Sequence, residues 1–234
     1  MIWQIPKMWE GGECWIIGGG PSIPREFGVP EEIIDDVIMR RQTIDAYSPF
    51  LSTIHDRHVI GINAAFFLGS WIDICFFGDG GFYLQNRREL GRFPKLKVSC
   101  NPNTRKKMDP NDNIKFVKRD NRSPYGISRN NNSVSWNGNS GAAAISLAYH
   151  LGVKRIYLLG FDMKLGGDNR QHFHSHYHNT RGSRINAKKL PFDRHLRGFP
   201  HIAKDARRLG IEILNVSPDS AIKEFKKVRL IDVL

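Results

Sequence analysis

The sequence predicts an α/β fold: a Rossmann-like, mostly parallel sheet with helices on both faces, as a single domain over residues 1–234 with a polar insertion. Three observations lead there. Short apolar runs bounded by glycine or polar residues alternate with helical stretches along most of the chain. Four of these runs end in a small or polar group, at Gly18 to Ser22, Asn63, Asp79 and Asp162. The stretch Asn139 to Met163 reads as a polar turn, an alanine-rich helix, a glycine stop and a buried strand. In open parallel sheets the ligand crevice lies outside the carboxyl ends of the strands, so the four run ends should converge if their strands are neighbours.

In chain order, Glu13 to Ile17 is apolar and runs into Gly18-Gly19-Gly20-Pro21-Ser22. Glycines there let the backbone approach a ligand closely, and Pro21-Ser22 suits the start of a turn or helix. The loop lacks both the Gly-Lys-Ser/Thr of a Walker loop and a GxGxxG pattern, so a tight structural turn is an equal reading. Pro30 to Asp45 begins acidic and carries Arg40-Arg41 late, a gradient that complements a helix dipole. His58 to Ile62 and Ile72 to Phe77 are strand-like, the second running into Gly78-Asp79-Gly80-Gly81. Asp79 suits a ribose hydroxyl or a metal; a turn aspartate beside two glycines is the alternative. Lys95 to Ser99 and Ile114 to Val117 look like further strands.

Residues 119–138, with Asn130-Asn131-Asn132 and several arginines and serines, are too polar to bury themselves and predict a flexible loop. Trp136 within it stacks on a base or sugar, or packs the base of the loop. The alanines 142, 143, 144 and 148 let the following helix lie close on a sheet, and Gly152 ends it. Asn139-Ser140-Gly141 at its start offers side-chain caps and backbone N–H groups, an anion cradle or simply a capped core helix. Arg155 to Leu159 is a strand covered on both faces. Phe192 to Leu209 has a helical pattern interrupted near Gly198 and Pro200. Ile211 to Asn215 is a strand, and Ser217-Pro218-Asp219-Ser220 begins a short basic helix with Lys223, Lys226 and Lys227.

Residues 164–190 form a His/Arg-rich loop whose Gln171 to Asn179 segment alternates His172, His174, His176 and His178. An extended backbone would put these imidazoles on one face. A general base on a loop fits histidine's titration near neutrality, solvated histidines are the plain alternative, and a zinc site lacks any nearby Cys or HExxH support.

The formal net charge is +12, unevenly spread: residues 1–84 hold five Lys/Arg against eleven Asp/Glu, and residues 85–234 hold thirty against twelve. Such asymmetry points to a polyanion, nucleic acid first. Cys14, Cys75 and Cys100 form no CxxC pair, so buried free thiols in a reducing compartment are expected. Met1 to Trp15 lacks the unbroken apolar core of a secretory signal, and Ala64 to Phe77 is too short to span a membrane, so a soluble, cytoplasmic protein is expected.

GGGPS after the first strand, a strand ending in Asn63, the NSG helix followed by LLGFD, then SHYHN and a closing NVSPDS resemble, in order over most of the chain, the bacterial sialyltransferase fold. They are also similar to its relatives, the motility accessory factors and the archaeal 6-hydroxymethylpterin pyrophosphokinase-like domains. The resemblance implies a nucleotide crevice: Gly19, Gly20, Pro21 and Ser22 near donor phosphates, Asn63 near the nucleotide, Asn139, Ser140 and Gly141 around it, and Tyr157 in the strand beneath. It implies His176, in Ser175-His176-Tyr177, as the base, with His174 and His178 as alternatives. The tyrosines proposed to hold the leaving phosphate in those enzymes have no clear counterpart, since Met163-Lys164 follows Asp162; Lys164 or an arginine of the 181–197 region is taken to neutralise the departing phosphate, and Asp162 is counted with His176 and Lys164 among the catalytic residues.

The function expected is a glycosyltransferase that needs a nucleotide-sugar donor and no metal, acting on an acceptor hydroxyl. The basic charge favours a nucleic-acid acceptor, for instance a hydroxymethylated base in phage DNA, and hence the host cytoplasm. Asp79, where the sialyltransferases have asparagine, suits the alternative, a Mg²⁺-ATP pyrophosphokinase with Asp79 and Asp162 on the metal. A second alternative is a non-catalytic nucleic-acid-binding module.

Overall fold

The computed structural model describes residues 1–177 and 190–234. The strands are β1 (Glu13–Ile17), β2 (Val59–Ile62), β3 (Ile74–Phe77), β4 (Leu96–Ser99), β5 (Ile114–Phe116), β6 (Lys118–Arg119), β7 (Ser133–Val134), β8 (Arg155–Leu159), β9 (Glu212–Asn215) and β10 (Lys226–Lys227); the apolar runs account for β1 to β5, β8 and β9, while the two-residue β6, β7 and β10 lie in polar stretches that the pattern does not mark. Among the described residues, eight of them form one sheet in the order β10-β9-β8-β1-β2-β3-β4-β5. Every pairing in it is parallel, so both faces have to be covered.

The helices are α1 (Ser22–Glu26), α2 (Glu31–Ile38), α3 (Gly80–Gln85), α4 (Arg87–Arg92), α5 (Pro102–Lys107), α6 (Ser140–His150), α7 (Phe192–Leu196) and α8 (Phe199–Leu209). Strand side chains alternate between two apolar cores. Cys14 and Ile16 of β1 point into one core, packed by α6 and α8; Trp15 and Ile17 point into the other, packed by α1, α2 and the 3-10 segments Ile44–Ile54 and Asn63–Leu68. The alanines of α6 are fully buried, which brings its backbone close to the strands.

The chain winds outward from β1 to β5 and then resumes on the other side of β1 with β8, β9 and β10. The direction of winding therefore switches between β1 and β8. The register pairs Ile17 with both Gly61 and Leu159, and Ile62 with Phe76, so β8, β1, β2 and β3 end level with one another. Their outgoing segments leave from a single rim.

Two expectations change here. The segment after β9 is a turn rather than a basic helix: Ser217 Oγ accepts from Gly160 N (3.1 Å), and Ser220 Oγ donates to the Phe161 carbonyl (2.6 Å). These serines spend their hydroxyls clamping the loop after β8, and Lys226-Lys227 then pairs with Leu214-Asn215 as β10. The stretch 119–138, expected to be too polar to bury itself, buries Gly126, Ile127, Ser128, Ser135 and Asn137. Its polar side chains supply the missing partners: Asn137 accepts from Gly126 N (2.7 Å) and donates to the Gly126 and Ser135 carbonyls, while Asp120 accepts from Ser128 Oγ (2.7 Å).

Candidate active site

A cavity of about 560 Å³ lies over the rim where β8, β1, β2 and β3 end. Its floor is backbone. Gly18, Gly19 and Gly20 follow β1 against Gly160 of the neighbouring loop, and a Cβ on Gly20 would stand 2.2 Å from Asp162 Oδ2 and 2.6 Å from the Gly160 carbonyl. Only glycine fits there. The Ser22 N–H donates to Asp162 Oδ2 (3.0 Å), so the loop after β1 and the loop after β8 are fastened together. Burial pushes the Asp162 carboxyl up from its ordinary value, against the bonds from Ser22 that lower it.

One wall comes from the α6 side. Asn139 caps α6 by accepting from Ala142 N (2.8 Å), and its amide donates to the His195 carbonyl (3.0 Å). The cap leaves the first turn of α6, Ser140 and Gly141, at the cavity surface with the positive end of the helix dipole. Ser140 Oγ accepts from Gly78 N (3.2 Å), which joins the rim after β3 to this helix. Trp136, Arg194 and His195 complete the wall. Burial, then the Arg194 charge, hold His195 down at about 4.

The opposite wall is the arm 164–177. Its ties are numerous: Asp168 pairs with Arg25 (3.3 Å) and Arg170, the Phe173 carbonyl accepts from Tyr47 (3.2 Å), the Ser175 carbonyl accepts from Arg40 (2.8 Å), and Tyr177 Oη accepts from Ala64 N (3.2 Å). Asp168 is held low, at about 2, chiefly by its bond from Arg170. These ties turn His172 and His174 into the cavity with their rings stacked at 5.5 Å. The two rings differ at Nδ1. His172 Nδ1 lies 3.3 Å from the Gly19 carbonyl, which can only accept, so Nδ1 carries a proton. His174 Nδ1 accepts from His176 N (3.1 Å), so its proton is on Nε2.

Of the residues singled out in the sequence, Gly19, Gly20, Asn63, Asp79, Asn139, Ser140, Gly141, Asp162, Lys164 and His174 line this one cavity. Ser22 stands just behind it through Asp162, and Pro21 packs under Gly166. Three differ. Tyr157 is a correction: it stacks on Trp15, bonds Glu13 with its hydroxyl (3.2 Å) and lines a separate groove with Arg155 and Glu212, because its side chain leaves the sheet well before the strand end. His176 is a second: the chain turns at 176–177, and its Nε2 meets Asn86 Oδ1 (2.6 Å) with the ring against Phe67, off the cavity wall. Desolvation lowers its pKa. His178 lies outside the described residues. Arg194 also lines the cavity and falls in the 181–197 region from which an arginine was expected, whereas the lining residues Arg119 and His195 were not singled out, having no motif around them.

As a magnesium centre the pair Asp79 and Asp162 fits poorly. Asp79 Oδ1 caps α3 by accepting from Gly81 N (2.9 Å), Asp162 Oδ2 is taken by Ser22, and burial disfavours the Asp162 charge. Among the described residues no three His, Cys, Asp or Glu side chains are grouped to hold a metal. No described helix is long and apolar enough to cross a membrane.

No protein-family model matches the chain, and no curated protein matches it. Among solved structures it is similar to the MAf glycosyltransferase from Magnetospirillum magneticum AMB-1, with TM-score 0.57 and 14% identity over 100% of this chain and 36% of that one. It is also similar to the sialyltransferase CstII from Campylobacter jejuni, solved with a substrate analogue, cytidine-5'-monophosphate, with TM-score 0.47 and 14% identity over 94% of this chain and 85% of that one. The chain thus spans about a third of the length of the MAf glycosyltransferase. At that identity the likeness is one of fold: a parallel, Rossmann-like α/β sheet shared with a glycosyltransferase.

Proposed function

We propose that the protein is a glycosyltransferase that moves a sugar from a nucleotide-sugar donor to an acceptor hydroxyl. One observation carries the reading: the glycine loop and the first turn of α6 line one cavity at the winding switch, an arrangement of backbone that suits a phosphate, and His172 and His174 line the same cavity. The fold shared with a protein named as a glycosyltransferase gives the direction in which that chemistry is read.

In this reading His172, rather than His176, is the general base. Its Nε2 takes the proton of the acceptor hydroxyl as that oxygen bonds to the anomeric carbon of the donor sugar. The bond from that carbon to the donor phosphate oxygen breaks, and its electron pair leaves with the phosphate. Lys164 and the N–H groups of Ser140 and Gly141 offset the charge that develops there. His174 presents a donor, Nε2–H, to the same region. Asp162 positions the Gly18 to Ser22 loop and carries no proton in the reaction.

The magnesium-dependent pyrophosphokinase alternative stands against the poor fit of Asp79 and Asp162 to the metal. The finer expectation of a hydroxymethylated base in phage DNA as acceptor draws its support from the net charge of +12 alone. Both enter the same experiment. The protein is incubated with CMP-, UDP- and GDP-sugars, with and without EDTA, and released nucleotide is measured. We expect one donor to be cleaved, with activity kept in chelator and stimulated by the right acceptor; oligosaccharides and hydroxymethylcytosine DNA are compared as acceptors. Absence of both binding and cleavage across the donor panel overturns the reading.

A further inference from the structure

The cavity has a part that the transfer chemistry does not use. Arg119 ends β6 and Trp136 lies in the stretch leading to α6; the guanidinium carbon sits 3.6 Å above the indole centroid. Arg119 is fixed in turn: a terminal nitrogen donates to the Gly78 carbonyl, which Asn101 Nδ2 also reaches at 3.1 Å. The indole edge is fixed as well, since a Cβ on Gly78 would fall 2.1 Å from Trp136 Cζ3. The result is an aromatic shelf whose half-buried indole, like Arg119, lines the cavity.

We propose that this shelf binds the nucleobase of the donor by stacking, and that Trp136 and Arg119 are the residues that make the protein bind a nucleotide rather than any sugar phosphate. The inference rests on the donor being a nucleotide sugar. Its geometry follows from the order of the rim. His172 lies over Gly19 beyond β1, and Trp136 lies against Gly78 beyond β3, two strand spacings along, or roughly 10 Å. The phosphate cradle of Gly19, Gly20, Ser140 and Gly141 lies in the same cavity. A nucleotide sugar laid along this rim puts base, ribose, phosphate and sugar in sequence, with the sugar at the imidazoles. The guanidinium on one face of the indole draws on its π-electrons, which suits the other face to a flat, neutral, polarisable ring more than to the C–H groups of a sugar.

Ribose 5-phosphate, which lacks only the base, is the comparison ligand. Calorimetric titration of the wild-type protein should show the best of CMP, UMP, AMP and GMP binding at least about tenfold tighter than ribose 5-phosphate, the range expected of base–aromatic stacking. In Trp136→Ala the two should bind within about twofold of each other, with the ribose 5-phosphate affinity unchanged. Trp136→Phe should restore most of the preference, and Arg119→Met should reduce it. The inference fails if Trp136→Ala keeps the preference, if it weakens ribose 5-phosphate equally, or if it abolishes only the advantage of a nucleotide sugar over its nucleotide. If the wild-type protein cleaves a nucleotide sugar but shows no preference over ribose 5-phosphate, the shelf is wrong and the transferase reading stands. If it binds no phosphorylated ligand at all, both fall.

Discussion

His172 and His176 stand four residues apart in different surroundings, and the proposed function gives them different work. The Gly19 carbonyl holds a proton on His172 Nδ1, whereas Asn86 Oδ1 occupies Nε2 of His176. His172→Gln should therefore lower kcat by about 10²–10⁴ while leaving donor affinity nearly unchanged, and His176→Gln should cost far less; nucleotide release by both variants decides it. Gly20 is equally specific for a different reason. A methyl group there meets Asp162 Oδ2 at 2.2 Å and backbone at 2.6 Å, so the loop has to move. Gly20→Ala should lose about 1–3 kcal/mol in urea unfolding and, on the proposed function, most of its donor binding, because that reading places the donor phosphate on the same loop.

The helix α6 shows how a single side chain serves both stability and the site. Asn139 accepts from Ala142 N and donates to the His195 carbonyl, so it caps the helix and holds α7 beside the cavity. Asn139→Ala should cost about 1 kcal/mol from the cap alone, measured by denaturant unfolding. Much of this was legible in the sequence: the Asn-Ser-Gly start, the alanine face and Gly152 announce a close-packed capped helix, and the apolar runs announce the strands within two residues. What the sequence hides is direction. Tyr157 shares a strand with residues near the rim, yet its side chain leaves one turn of the pleat too early and on the face away from α6. The alternating histidines read as one face, but the chain turns at 176–177, and a turn there has no signature in the spacing. Ser217 and Ser220 read as a helix start because their actual partners, Gly160 and Phe161, are more than fifty residues away.

For the molecule as a whole, buried neutral histidine sets the acid limit. Burial holds His150 at about 4 against an ordinary 6.5, and its Nε2 has no hydrogen-bond partner among the described residues. Between those values the unfolded chain binds the extra proton, so the contribution is full above pH 6.5 and is lost as the pH falls toward 4. The loss is on the order of 3 kcal/mol. His150→Leu should flatten the fall in stability between pH 6.5 and 4, followed by urea midpoints across that range. The net charge of +12 adds a salt-dependent attraction to any polyanionic acceptor, which a titration of binding against salt measures separately from catalysis. The three cysteines have a practical consequence. All are fully buried, and burial raises each thiol, Cys100 to about 11 and the other two further. The folded chain is thus silent toward maleimides, and a cysteine introduced at exposed Gly167, where an added side chain meets open space, becomes the sole point where a fluorophore attaches and reports when a donor arrives.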